Sequence, residues 1–188
     1  MSAYALLLAL TGLERLAEMA VSGANARWSL EQGGREAGRR HYPAMVALHA
    51  AFLLGCAVEP WIRGRTELPA VASYAFAVAM ACQALRWWCI RTLGRQWNTR
   101  VIVVPGLARV TGGPYRWLRH PNYLAVALEG IALPCVGGAW VTAALFTFAN
   151  ARLMRERLAI ENHALESLAA SAAPPATGLR QENSPCPT

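Results

Sequence analysis

Pro43-Ala-Met-Val-Ala-Leu-His-Ala-Ala-Phe-Leu-Leu-Gly-Cys-Ala-Val-Glu-Pro-Trp61 is the stretch that decides the fold class. A helix crossing a bilayer needs about 20 mostly apolar residues, and this run meets that need with one carboxylate, Glu59, near its end. Comparable runs stand on either side. Ala3–Val21 precedes it, with Glu14, Arg15 and Glu18 crowded into its final part, and Leu68–Ile90 follows it. Asn122–Val136 is shorter, and after Gly137-Gly138 comes Ala139–Met154. Gly-Gly between two apolar runs marks a helical hairpin with almost no loop. The chain therefore reads as an all-α integral membrane protein with about five transmembrane helices and a helical C-terminal segment. Its apolar N-terminus has no basic leader and no convincing cleavage site, so it reads as a first span and not as a signal peptide.

Composition agrees. Of 188 residues, 55% are hydrophobic and 15% charged, a charged share well below that of soluble domains. The length suits one domain, residues 1–168, followed by a tail, 169–188, whose Ala, Pro and Ser content reads as disordered. Every basic residue is arginine and every acid glutamate. A net charge of +7 suits either nucleic acid or an anionic membrane surface; the apolar runs decide for the lipid bilayer and against nucleic acid. Five cysteines, at 56, 82, 89, 135 and 186, form no CxxC pair and no His/Cys ligand spacing, so no metal site is expected.

The arginines give an orientation. Arg27, Arg35, Arg39 and Arg40 follow the first run; Arg91, Arg95, Arg100, Arg109, Arg116 and Arg119 follow the third; Arg152, Arg155 and Arg157 follow the fifth. The two opposite connections hold only Arg63 and Arg65, and none. By the positive-inside rule the protein is a multi-pass cell-membrane protein with a cytoplasmic C-terminus. Three polar segments then share the cytoplasmic side: Asn25–Pro43, Arg91–Pro121 and Arg152–Leu168. A soluble cofactor would meet residues there, while a lipid enters sideways. The middle segment contains the β-branched, extended Val101-Ile-Val-Val-Pro105 and the turn signals Pro105-Gly106 and Gly112-Gly113-Pro114.

Acids at membrane depth face the protein interior and find partners, so Glu18 or Glu129 is expected to pair with Arg86. His49, inside the second run, reads as a satisfied buried histidine before it reads as a catalytic one. Arg157 and Glu161 are four apart, hence on one helix face. Taken alone they make a surface ion pair of small worth.

Gly113-Pro-Tyr-Arg-Trp-Leu-Arg-His-Pro-Asn-Tyr123 resembles the GPYRxxRHPxY signature of the isoprenylcysteine carboxyl methyltransferase family, with eight fixed positions in eleven residues. Arg157-Leu-Ala-Ile-Glu161-Asn-His-Ala-Leu165 resembles that family's C-terminal RxxxE(E/N)xxL element. Asn25/Arg27-Trp28, Gly33 to His49 and Leu93 to Thr99 extend the resemblance over nearly the whole chain, to a bacterial branch associated with type III polyketide synthases. The resemblance implies an O-methyltransferase that takes its methyl group from S-adenosylmethionine. The implied acceptor is lipid-like: an alkylpyrone, an alkylresorcinol or a prenylcysteine-type carboxylate. A functional association with a type III polyketide synthase is implied as well. Carried over residue by residue, it places Tyr115, Arg119, His120, Pro121 and Tyr123 at a cytoplasmic-side cofactor site, and Arg157 and Glu161 in catalysis. His41, His49, Trp97 and Asn98 fall at the substrate. Asn162 stands where many members have a second glutamate.

These residue types suit the chemistry. An arginine fork binds the carboxylate of the donor's amino-acid head group, a role open to Arg119 beside His120, and Tyr115, Trp117 or Tyr123 can wall its adenine. Pro121 starts a helix whose free amides also favour an anion. An acidic hydroxypyrone or a carboxylate is already ionised and needs only orientation, by Arg157. A resorcinol, with a pKa of about 10 like tyrosine, needs a base, for which Glu161 or else His49 is at hand. Two rivals remain at this level: a membrane lipid reductase using a nicotinamide cofactor, and a non-catalytic membrane scaffold or transporter subunit. Transporters tend to show repeated halves and polar midplane sites, which this chain lacks.

Overall fold

The computed structural model describes residues 2–39, 41–64, 69–108 and 110–172. Five long helices run α1 Ser2–Glu31, α2 His41–Ile62, α3 Ala72–Leu93, α4 Pro121–Gly137 and α5 Trp140–Ala172. Each apolar run of the sequence thus lies within or closely along a helix. By length and composition, α2 is the one described helix apolar enough to cross a membrane. α4 is 17 residues long, α1 carries Glu14, Arg15 and Glu18, and α5 continues through Arg152, Arg155, Glu156 and Arg157. Residues 169–172, the start of the expected tail, continue α5; 173–188 lie outside the described residues.

Local chemistry fixes the ends. Pro121 opens α4, where its missing N–H and fixed φ cost nothing. Gly138, at φ 74°, closes it in the left-handed region and donates its N–H to Cys135 and Pro134. The expected hairpin follows at once. Its far side is held by Glu59 of α2, whose carboxylate accepts from the Val141 and Thr142 amides at 3.1 and 2.8 Å and from the Thr142 hydroxyl at 2.8 Å. A residue of another helix thereby satisfies the orphan amides that open α5.

Small residues line the contact between α3 and α4. Ala72, Ala75, Ala79, Cys82, Arg86 and Cys89 form the buried face of α3 at helical spacing, and Ala125, Gly130 and Ala132 are buried along α4. A Cβ at Gly130 would collide with the Phe146 ring, and one at Gly137 with Tyr4. Such residues let helix backbones approach closely, the packing that holds helices together where no hydrophobic effect drives them. Large apolar side chains stand exposed on all five helices, among them Leu6, Leu54, Tyr74, Ile131 and Phe148. Exposed apolar surface of that extent marks contact with a membrane or with other protein.

Charge sits in the middle. Arg86 binds Glu18 through Nε at 2.9 Å and Nη2 at 2.5 Å, the expected pair, and both are buried. Glu129 instead meets Arg15 Nη2 and Gln83 Nε2, each at 3.4 Å, while Arg15 Nη1 donates to Glu18 at 2.8 Å. Trp87 donates its indole N–H to Glu14.

Among the described residues, one short strand pair interrupts the helices. β1 (Arg35–Ala37) pairs antiparallel with β2 (Val101–Val103), setting Glu36 opposite Ile102. The extended character of Val101–Val103 was legible in sequence. Its partner was not, because Arg-Glu-Ala has no strand propensity to announce it. This ribbon ties the α1–α2 connection to the α3–α4 connection at the end of the bundle that carries the polar segments.

Candidate active site

Asn25 of α1 donates its side-chain amide to the Gly94 and Trp97 carbonyls at 3.1 and 2.7 Å. Ser22, one turn earlier, accepts from the Thr99 amide at 2.9 Å and shares a 2.7 Å bond with its hydroxyl. Trp97 is buried beneath this loop. Its buried ring anchors the loop and so holds Asn98 in place. Asn98 donates to Ser29 Oγ at 3.4 Å, and its backbone carbonyl accepts from Arg157 Nη2 at 3.5 Å.

Arg157, on α5, is the hub. Its Nε–H donates to the Tyr123 oxygen at 2.8 Å, and the Tyr123 hydroxyl donates onward to Glu161 at 2.7 Å. The guanidinium lies over the Tyr123 ring, 5.4 Å from its centroid, and Nη1 points at Met45 Sδ, 3.1 Å away. Arg157 and Glu161 are thus joined through the tyrosine of the preceding helix, a geometry that the i, i+4 spacing alone does not give. His120 stacks on Tyr123 with rings 4° from parallel and centroids 5.1 Å apart. Pro121 is fully buried at the start of α4.

Beside this hub opens a cleft of about 280 Å³, its mouth included, walled by Glu36, Tyr42, Met45, Arg100, Arg157 and Ile160 among others. Arg100 stacks over Tyr42 at 4.9 Å and faces Glu36 at 3.6 Å. Glu36 also accepts from Arg39 at 2.9 Å. Two buried side-chain oxygens, Asn98 Oδ1 and Asn122 Oδ1, have no hydrogen-bond partner.

The structure brings together Tyr123, His120, Asn98, Arg157 and Glu161. Tyr115 is half-buried in the short 3₁₀ turn Gly113–Arg116; burial pushes its hydroxyl well above the usual range, and the Cys89 thiol beside it adds to the effect. Arg119 is exposed in the turn before α4. His49 lies one turn along α2 from Met45, bonded through Nδ1 to the Met45 carbonyl at 2.9 Å and set edge-on to Phe146. It is satisfied, as expected, away from the hub. His41 opens α2, but its side chain lies outside the described residues. Met45, Glu36, Tyr42 and Arg100 were not singled out from sequence; the strand pairing brings Glu36 and Arg100 together, and the packing of α2 on α5 brings Met45 to Arg157.

The model of the isoprenylcysteine carboxyl methyltransferase family matches residues 75–167, a stretch that holds Tyr115, His120, Tyr123, Arg157 and Glu161. The chain is also 38% identical over 161 residues to the uncharacterized protein YpbQ of Bacillus subtilis (strain 168), covering 86% of this chain and 95% of the relative. The hub of Tyr123, Arg157 and Glu161 is therefore the candidate centre of a membrane methyltransferase, and the chain belongs to the isoprenylcysteine carboxyl methyltransferase family.

Proposed function

We propose that this protein is an S-adenosylmethionine-dependent O-methyltransferase acting on a lipid-like acceptor at the cytoplasmic face of the cell membrane. The acceptor classes are an alkylpyrone, an alkylresorcinol or a prenylcysteine-type carboxylate, and a type III polyketide synthase is the associated supplier of the first two. The observation that carries this reading is the Tyr123 hydroxyl held between Arg157 Nε at 2.8 Å and Glu161 at 2.7 Å. It lies beside a cleft with charges of both signs.

The residues present fit the donor. Its head group is zwitterionic, and the cleft offers the Arg100 guanidinium for a carboxylate and the Glu36 carboxylate for a cation. When bound, S-adenosylmethionine supplies an electrophilic methyl on a sulfonium and departs as a neutral thioether.

The chain's own residues do the rest. Arg157 presents a planar fork that orients an ionised acceptor oxygen. Tyr123 fixes the fork by occupying Nε and holds one Glu161 oxygen. The other Glu161 oxygen can take the proton that a phenolic acceptor loses as its O–CH₃ bond forms. Positioning of this kind contributes up to about 7–11 kcal/mol of barrier reduction. A carboxylate acceptor, already ionised, asks nothing of Glu161.

The test is incubation of membranes with labelled S-adenosylmethionine and a panel of alkylpyrones, alkylresorcinols and prenylcysteines. Transfer to at least one class, lost in Arg157→Ala, is the expected result. Absence of transfer to every class, with saturable binding of a nicotinamide cofactor instead, would overturn the reading.

A further inference from the structure

No acidic residue stands between Glu67 and Glu129, a stretch that holds seven arginines. Two of them are neutralised from elsewhere in the chain, Arg86 by Glu18 and Arg100 by Glu36. Among the described residues, Arg91, Arg95, Arg116 and Arg119 take part in no ion pair. All four are exposed, at the end of the bundle that carries the polar segments.

Two of these arginines flank a pair of tryptophans. Trp88, on α3, and Trp117 meet edge-on with centroids 5.9 Å apart, and they are 46% and 64% exposed. The Arg116 guanidinium lies over the Trp117 ring at 4.5 Å, and Arg91 follows Trp88 by three residues on the same helix face. Gly113 seats the turn on α3: its φ is 54°, and a Cβ there would strike Thr92 and press on Trp88. Turn and helix therefore present one surface. Stacking engages the face of the Arg116 guanidinium, whose N–H edges bond nothing else among the described residues and so stay open to a bidentate phosphate. The chemistry then changes along the next helix. α4 leaves this turn at Pro121 and exposes Leu124, Leu128 and Ile131 on one face, a row about 10 Å long. Cation, aromatic ring and aliphatic row follow the order of a phospholipid at a bilayer surface: phosphate, interface, acyl chain.

We infer that Arg91, Arg116, Trp88 and Trp117 form a binding site for one anionic glycerophospholipid of the phosphatidylglycerol type. Its phosphate accepts from the N–H edge of Arg116 and is drawn by Arg91, its glycerol lies against the two indoles, and an acyl chain follows the α4 row. A zwitterionic lipid would bring its own cation against the arginines, and a free anion would leave the indoles and the aliphatic row uncovered. The site uses no residue of the Arg157 hub and stands whatever chemistry that hub performs.

The experiment is native mass spectrometry of the purified full chain, released from detergent micelles holding equal amounts of phosphatidylglycerol and phosphatidylcholine with the same acyl chains. One retained phosphatidylglycerol is expected, favoured about tenfold over phosphatidylcholine. Arg91→Gln with Arg116→Gln should remove that preference, and Trp117→Ala should weaken retention of phosphatidylglycerol. Arg27→Gln with Arg155→Gln takes the same charge from exposed positions outside the patch and should leave the preference intact. Equal retention of the two lipids overturns the proposal, and so does a preference that survives Arg91→Gln with Arg116→Gln. An equal loss in Arg27→Gln with Arg155→Gln also overturns it, because the effect would then be one of net charge. Displacement of the lipid by millimolar inorganic phosphate would mark a site for the free anion and overturn the lipid assignment. Should Trp117→Ala fail to fold, the two arginine pairs, all on exposed side chains, still decide.

Discussion

Tyr123 and Arg157, 34 positions apart in the chain, meet twice: the guanidinium donates Nε–H to the tyrosine oxygen at 2.8 Å and lies over the ring at 5.4 Å. The same hydroxyl then donates to Glu161 at 2.7 Å, so one oxygen sets the positions of both charged groups.

Tyr123→Phe removes that oxygen and keeps the ring. A hydrogen bond to a charged group contributes about 1.5–3 kcal/mol, so the methyl-transfer rate should fall about ten- to a hundredfold. The ring's stacking with His120 should survive. Rate assays beside thermal unfolding check this; an unchanged rate would show that the hydroxyl does not position Arg157.

Arg157→Ala and Glu161→Ala should each lose far more rate than stability, about a hundredfold where acid–base help is involved. Arg157→Lys should not rescue, because an ammonium lacks the planar fork. Glu161→Gln separates the acceptors: an ionised pyrone keeps most of its rate. A resorcinol loses it and regains activity as pH rises toward its pKa of about 10. Near-normal turnover in both alanine variants would reduce the pair to structure.

Glu18→Ala should destabilise strongly, by about 3–5 kcal/mol, because it strands the buried Arg86 charge. Replacing both partners with apolar residues of similar volume should cost much less. Unfolding in detergent, compared across the single and double variants, reads the difference. Equal losses would mean that Arg86 finds another partner.

Glu59→Ala removes the carboxylate that accepts from Val141 and Thr142. Loss of a cap of this kind costs about 1 kcal/mol. Glu59 stands at the opposite end of the bundle from Arg157, so the methyl-transfer KM and kcat should hold while the thermal midpoint drops. A large fall in rate with an unchanged midpoint would contradict a purely capping role.

A reporter fused to the C-terminus should be active only in its cytoplasmic form, given the arginine asymmetry of the connections. Activity only in the externally active form would reverse the topology and carry the candidate active site to the wrong face for a soluble donor.

The sequence by itself determined the helices, because the apolar runs and the Gly137-Gly138 turn are local signals, readable without knowing what packs where. It also marked Tyr123, Arg157 and Glu161, through the resemblance of two separate motifs. Only the tertiary structure decided how they act. An i, i+4 spacing describes Arg157 and Glu161 as an ordinary pair on one helix. It takes the α4–α5 hairpin to insert Tyr123 between them, the β1–β2 ribbon to bring Glu36 and Arg100 alongside, and the α2–α5 packing to add Tyr42. Trp97 reads in sequence as a substrate residue, yet Asn25 pulls its loop down and buries it. Glu18 could have paired anywhere; only the packing of the bundle brings the long Arg86 side chain to it. Helix periodicity is written along the chain, whereas partners from remote segments depend on how closely the helices pack.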